Sequence, residues 1–307
     1  MNRKVLWGLV SLLVITNLLT LYFWSGERST SPKSSKLQDM EVVEASDEVN
    51  EPVALINGEE VSYVDWVSSL KQTYGKKTLE DMVNKQLVFQ LAEEHDLTLE
   101  PKLIDRELHS METMQGVSGK EELEQKQEQW RKDIEYQLYL EEILTRDVEI
   151  AEEDIKKYFE KHKDDYTFSK TYQLSQIVVN NKKEADKVYK ELEEGSDFSV
   201  LAREYSDETS SGEFGGYLGY YSENTTFLDN AYFNAAEKLE EGQYSQPFEA
   251  PGGYVVIYLH RTLPEVTFTY DELKAHIRRE LALGHISGVA TADMLWEQAD
   301  IDWIYGE

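Results

Sequence analysis

From residue 5 to residue 24 the chain reads VLWGLVSLLVITNLLTLYFW, predominantly apolar and without a charge. Wound as a helix, that run is about 30 Å long, the thickness of a bilayer's hydrocarbon core. Trp7, Tyr22, Phe23 and Trp24 lie near its two ends, where amphipathic rings favour the membrane interface, and Arg3 and Lys4 precede it. The pattern predicts a transmembrane signal anchor over residues 1–24. The N-terminus would be cytoplasmic and the bulk of the chain would lie outside the cell membrane, in a single-pass topology. A cleaved signal peptide is the alternative, but the apolar run is long and no A-x-A-like site follows it.

Residues 25–51 lose periodicity and are rich in Ser and charge, which predicts a solvated, flexible tether. Order resumes at Pro52 with a short apolar run that closes on an Asn57-Gly58 turn. Thr78 is placed to open a helix whose stripe is Leu79, Met82, Val83, Leu87 and Leu91. Ser118-x-x-Glu121 has the spacing of a capping box before a helix carrying Trp130, Ile134 and Leu138. Ile155, Tyr158, Phe159 and His162 then repeat at i, i+3, i+4, i+7. This half is expected to be a packed helical domain over residues 52–165.

At Thr171 the period falls from helical to two. Tyr172, Leu174, Gln176 and Val178 share one face of a predicted strand over 171–179. A helix marked by Ala185, Val188, Tyr189 and Leu192 stops at Gly195, and another carries Phe198, Leu201, Ala202 and Tyr205. A glycine-rich turn over 212–219, a short helix near 229–239 and a hairpin leading into 254–259 complete an α+β unit, expected over 166–264. The tail, 265–307, returns to helix behind the capping box Thr269-x-x-Glu272, with Leu273, Ile277 and Leu281 as its stripe. Residues 299–305 read as a final strand, for which the edge near Val53 and Ile56 is the available partner. The tail would thus complete the N-terminal helical domain, leaving the α+β domain as an insertion.

Composition narrows the functions. Lys and Arg number 31 against 60 Asp and Glu, a net charge of −29, which opposes binding to nucleic acid or to a broad anionic lipid surface. With no cysteine, disulfides, thiolate chemistry and Cys-containing zinc sites are excluded. There is no P-loop, no GxGxxG and no HExxH, and the six histidines are scattered, so neither a cofactor nor a metal is expected. His162, His260, His276 and His285 each have a structural explanation in a stripe, a helix or a strand end.

The exported part resembles the parvulin-type foldases of the PrsA and SurA kind, and among them the YacD-like membrane-anchored members. Val53-Ala-Leu-Ile-Asn-Gly and Tyr74-Gly-Lys-Lys-Thr-Leu-Glu are similar to that family's N-terminal chaperone segment. Within the α+β part the matching pieces are Leu174-Ser-Gln-Ile-Val-Val, Asp197-Phe-Ser-Val-Leu-Ala, Gly215-Gly-Tyr-Leu-Gly, Ala231-Tyr-Phe and Gly253-Tyr-Val-Val-Ile. The resemblance implies a SurA-N-like helical domain, an inserted parvulin-like domain and peptidyl-prolyl cis-trans isomerisation. Its partners would be unfolded or folding exported polypeptides with X–Pro bonds.

Carried over residue by residue, the family's two histidines fall on Gln176 and Val255, and its acid-or-Cys position is Glu208. Leu218, Tyr221, Leu228 and Phe233 fall on the apolar wall that would take the proline ring. Gln176 retains donors and acceptors and Val255 has neither, which implies weak catalysis. The second function is a holdase, a polypeptide-binding module that keeps the scaffold without turnover.

Overall fold

The computed structural model describes residues 51–286 and 290–305. The anchor over 5–24 and the tether up to residue 50 lie outside the described residues. Among the described residues, no helix is long and apolar enough to cross a membrane. The chain divides into two compact units, one up to Thr73 and one from Tyr74 onward.

In the first unit β1 (Ala54–Ile56) and β2 (Glu59–Val61) form an antiparallel hairpin. Its turn is the expected one: Asn57 and Gly58 take φ of 54° and 91°, as a two-residue hairpin turn requires at both positions. Helix α1 runs over Tyr63–Glu94, so it opens well before Thr78. Ser62 starts it, its carbonyl accepting from Trp66 N at 3.0 Å and its hydroxyl from Asp65 N at 3.4 Å. The early turns carry Tyr63, Trp66, Val67, Leu70 and Tyr74 at the same helical spacing, a stripe that a start at Thr78 leaves out, and in the structure Trp66, Val67, Leu70 and Tyr74 are exposed.

The second unit holds the remaining helices of the chain's first half, α2 (Pro101–Glu112), α3 (Lys120–Thr145) and α4 (Glu152–His162). The α3 start corrects the expected capping box. Its N-cap is Gly119, which makes no side-chain cap, so Ser118 lies one residue outside the helix. The box at Thr269 and Glu272 does form, at the head of α9 (Tyr270–Leu283). Leu273 and Ile277 of α9 pack with Leu103, Ile155 and Phe159. Tyr158 and Tyr166 both donate to the Glu280 carboxylate, bringing the tail back to the first-half helices.

The end of the chain corrects a further expectation. Residues 299–305 form no strand; a 3-10 helix (Ala292–Gln298) precedes irregular backbone, and the register of β1 is with β2. Leu295 and Ala292 instead enter a cluster with Leu87, Val88, Leu140 and Ile143. Trp296 Nε1 donates to Asn84 Oδ1 at 2.6 Å, and Trp296 and Trp303 meet edge to face. The tail's apolar residues find a helical surface, and the Asn-Gly turn gives β1 a partner at minimal loop entropy.

Between α4 and α9 lies a four-stranded antiparallel sheet in the order β4-β3-β6-β5. The elements follow as β3 (Thr171–Val179), α5 (Lys182–Glu193), α6 (Phe198–Tyr205), α7 (Thr209–Gly212), β4 (Tyr217–Ser222), α8 (Asn230–Ala236), β5 (Phe248–Ala250) and β6 (Gly253–Leu263). Every residue of central β3 is buried. Tyr172, Leu174 and Val178 pack on one face with Tyr232 and Phe233 of α8; Ile177 and Val179 pack on the other with α5 and α6. The alternation read from the sequence is therefore real, but both faces are covered.

Two bulges shape the sheet. Leu174 opposes Gly219 and Ser175 opposes Tyr217, leaving Leu218 as the extra residue of β4. Gln173 opposes Arg261 and Leu174 opposes Leu259, leaving His260 extra in β6. His260 is thus inside a strand rather than after one. Its Nε2 lies 2.8 Å from Ser175 Oγ, and burial pushes its pKa down to about 4.

Candidate active site

One open groove of about 940 Å³ lies along the α8 face of the sheet. It is lined by Gln176, Glu208, Leu218, Tyr221 and Leu228, five of the residues read from the sequence. Leu218 reaches it because a bulged residue is unpaired and free to be re-aimed. Tyr221 follows on the same strand, and Leu228 precedes Asp229, whose carboxylate caps α8 by accepting from Ala231 N at 2.8 Å. These three side chains pack against the core that Tyr232 helps to build. Phe233 and Val255 do not line the groove. Phe233 packs on Tyr172 with ring centroids 5.9 Å apart, and fully buried Val255 opposes Val178 in the sheet. Both belong to the core under the groove.

Gln176 is 6% exposed, so both ends of its amide need partners. The partners come from elements distant in sequence. Tyr232 Oη of α8 donates to Gln176 Oε1 at 2.6 Å. Gln176 Nε2 donates to Ser211 Oγ of α7 at 3.1 Å, and Ser211 Oγ donates to Glu208 Oε2 at 2.7 Å. The result is a directed chain, Tyr232 to Gln176 to Ser211 to Glu208, each hydroxyl proton committed to the next acceptor. It also leaves one of the two N–H bonds on Gln176 Nε2 uncommitted.

Glu208 is where the chain ends and also what builds it. Its carboxylate accepts from the backbone N–H and hydroxyl groups of both Ser210 and Ser211, at 2.6 to 3.2 Å, and so caps α7. Those bonds favour the charged form and hold its pKa down at about 2. Tyr232 is pushed the other way, up to about 12, by burial and then by the negative charges of Asp229 and Glu208. Gly216 locks the assembly to the sheet: its carbonyl accepts from Gln176 N at 2.8 Å, at φ 82°. A Cβ there would lie 2.2 Å from the Gln176 carbonyl oxygen, so only glycine lets the two backbones approach this closely.

Sequence reasoning missed Ser211 and Tyr232 as site residues. Tyr232 stood inside a recognised segment, Ala231-Tyr-Phe, but nothing in the sequence distinguishes Ser211 from Ser210. Val255 offers the Gln176 amide no partners, and Tyr232 and Ser211 supply them instead.

The chemistry available here is non-covalent. An X–Pro amide needs no nucleophile to isomerise, since the barrier of about 18–20 kcal/mol is the loss of amide resonance on twisting. A groove with an apolar wall and a fixed polar floor can hold a proline ring, strip water from the preceding carbonyl and favour the twisted amide over the planar one.

The family described as PPIC-type PPIASE domain matches residues 150–275, which contain the whole groove. YacD of Bacillus subtilis (strain 168) is 36% identical over 258 residues, covering 84% of this chain and 86% of that protein. The chain belongs to the PPIC-type peptidyl-prolyl isomerase family. The foldase protein PrsA of Halalkalibacterium halodurans is 29% identical over 241 residues, 75% of this chain and 69% of that one. Among solved structures, a SurA-like chaperone of Campylobacter jejuni covers 82% of this chain and all of its own (100%), with 21% identity and a TM-score of 0.37. As a PPIC-type protein the chain carries its groove on the antiparallel sheet, and Gln176 stands on the central strand of that sheet.

Proposed function

We propose that this PPIC-type protein is a membrane-anchored, extracytoplasmic foldase that isomerises X–Pro bonds of exported polypeptides at a low rate. The observation that carries the reading is the hydrogen-bonded chain from Tyr232 to Glu208 under an apolar wall: an ordered, satisfied polar floor where proline chemistry needs one. The low rate follows from what the floor lacks. Gln176 offers one uncommitted N–H and Val255 none, and neither can change charge as an imidazole does. Each 1.4 kcal/mol lost from transition-state stabilisation costs about tenfold in rate. The uncharged run over 5–24, with Arg3 and Lys4 before it, supports the anchor and its orientation. Labelling on intact cells should find positions after Gly26 accessible from outside, and the mature protein should retain residues 5–24.

In the same reading residues 166–264 form the isomerase domain, and residues 52–165 with 265–307 form the chaperone part. A second reading, holdase without turnover, is favoured by the exposed Leu55, Ile56, Trp66 and Leu70, apolar surface of the kind an unfolded segment covers. Isomerisation of a proline tetrapeptide by the full chain separates the two. Weak turnover is expected in the natural sequence, and more in Gln176→His with Val255→His, provided circular dichroism shows that variant folded. A rate already high in the natural protein and indifferent to Glu208→Ala would overturn the site assignment. No turnover in either form would leave the holdase.

A further inference from the structure

The charged side chains around the groove are all of one sign. Asp207, Glu208 and Asp229 line it, and among the described residues no Lys, Arg or His does. Among the described residues none of the three stands in an ion pair. Their hydrogen bonds are to neutral donors. Asp207 Oδ2 accepts from Asn180 N and Nδ2 at 2.9 and 2.8 Å, Asp229 Oδ1 accepts from Ala231 N, and Glu208 is held by two serines. Among the described residues, Asp207 Oδ1 and Asp229 Oδ2 have no protein donor.

These charges come from two segments, Asp207 and Glu208 after α6 and Asp229 before α8. Their fields meet in the groove: Asp229 and Glu208 both act on the buried Tyr232 hydroxyl, the head of the polar chain. Phe227, 89% exposed, adds an aromatic face to the lining. Apolar wall, aromatic rim and uncompensated negative charge together match one substrate chemistry.

We infer that the groove selects X–Pro segments carrying Lys or Arg beside the proline and turns away those carrying Asp, Glu or a phosphate there. This rests on the groove being the peptide site. A basic side chain would be drawn by three carboxylates and can lie over an aromatic face, where cations are attracted. An acidic one meets like charge with no cation to relieve it. The discrimination is electrostatic and partly exposed, so it weakens as salt shortens the Debye length from about 10 Å at 0.1 M to about 3 Å at 1 M.

The test uses the full chain in detergent and four tetrapeptides that differ only before the proline: Ala, Leu, Lys or Glu. Isomerisation rate and peptide affinity are both read. Lys-Pro should exceed Glu-Pro by about tenfold at low salt, the scale of a few exposed charge pairs, and the ratio should close toward one at 1 M salt. Asp207→Asn with Asp229→Asn should cut the low-salt ratio several-fold; asparagine can replace aspartate at a helix cap. Because the ratio is taken within one protein, a variant that folds less well still reports it. Equal rates for Lys and Glu, a preference for Glu, or a ratio indifferent to salt would overturn the inference while leaving the groove as the peptide site. Neither turnover nor binding of any peptide would overturn the groove itself, and the inference with it.

Discussion

Gln176 illustrates how little a residue's identity says without its partners. A buried glutamine is tolerable only when both ends of the amide are met, and here a tyrosine and a serine meet them. Tyr232→Phe removes one donor and leaves Gln176 Oε1 unpartnered and buried. It should cost about 1–3 kcal/mol in urea unfolding and lower the isomerase rate, whereas a fully exposed tyrosine changed to phenylalanine would do neither. Glu208 gives a pH-dependent counterpart. Its folded pKa, about 2, lies below the ordinary 4.5, so the folded state holds fewer protons there than the unfolded chain does. Its stabilising contribution is present in full above about 4.5 and is lost as the pH falls toward 2. Glu208→Gln should therefore destabilise the protein at neutral pH, and the gap between variant and natural protein should close across that acid window.

At the scale of elements, two capping boxes with the same sequence signature part company. Thr269 and Glu272 bond reciprocally at the head of α9, with Thr269 N donating to Glu272 Oε2 at 2.7 Å. Ser118 makes no cap, because α3 starts after Gly119. Thr269→Ala should cost about 1 kcal/mol of stability and Ser118→Ala nothing measurable, read as shifts in thermal midpoint. The sheet shows a similar dependence on register. Had β3 and β4 paired without a bulge, alternation would have carried the residues beyond it to opposite faces, and Leu218 and Tyr221 would not share the groove.

Across the whole second unit, the chain's end is a structural part of the helices rather than an appendage. Leu295 is 1% exposed among Leu87, Val88, Leu140 and Ile143, none of which touches the groove cluster. Leu295→Ala opens a cavity there and should cost about 2–5 kcal/mol, visible as a lower midpoint in tryptophan fluorescence from Trp296 and Trp303. Affinity of the groove for a short proline peptide, measured below that midpoint, should stay unchanged.

What the sequence determined by itself is whatever local physics settles: the Asn57-Gly58 turn, the stripes of α4 and α9, the period-two strand bearing Gln176, and the order of elements from β3 to β6. The resemblance to the parvulin-type foldases, carried by its motifs, also led to Gln176, Glu208, Leu218, Tyr221 and Leu228. The tertiary structure alone decided what depends on distant partners. Ser211 and Tyr232 are 35 and 56 residues from the glutamine they satisfy, and only the folded sheet brings them to it. The early turns of α1 carry a stripe at helical spacing, Tyr63, Trp66, Val67, Leu70 and Tyr74, but only the fold shows that Trp66, Val67, Leu70 and Tyr74 stay exposed. Residues 299–305 have strand-like composition, yet their neighbour Leu295 is buried among helices, and an apolar tail goes where the larger apolar surface is buried rather than where its own pattern points.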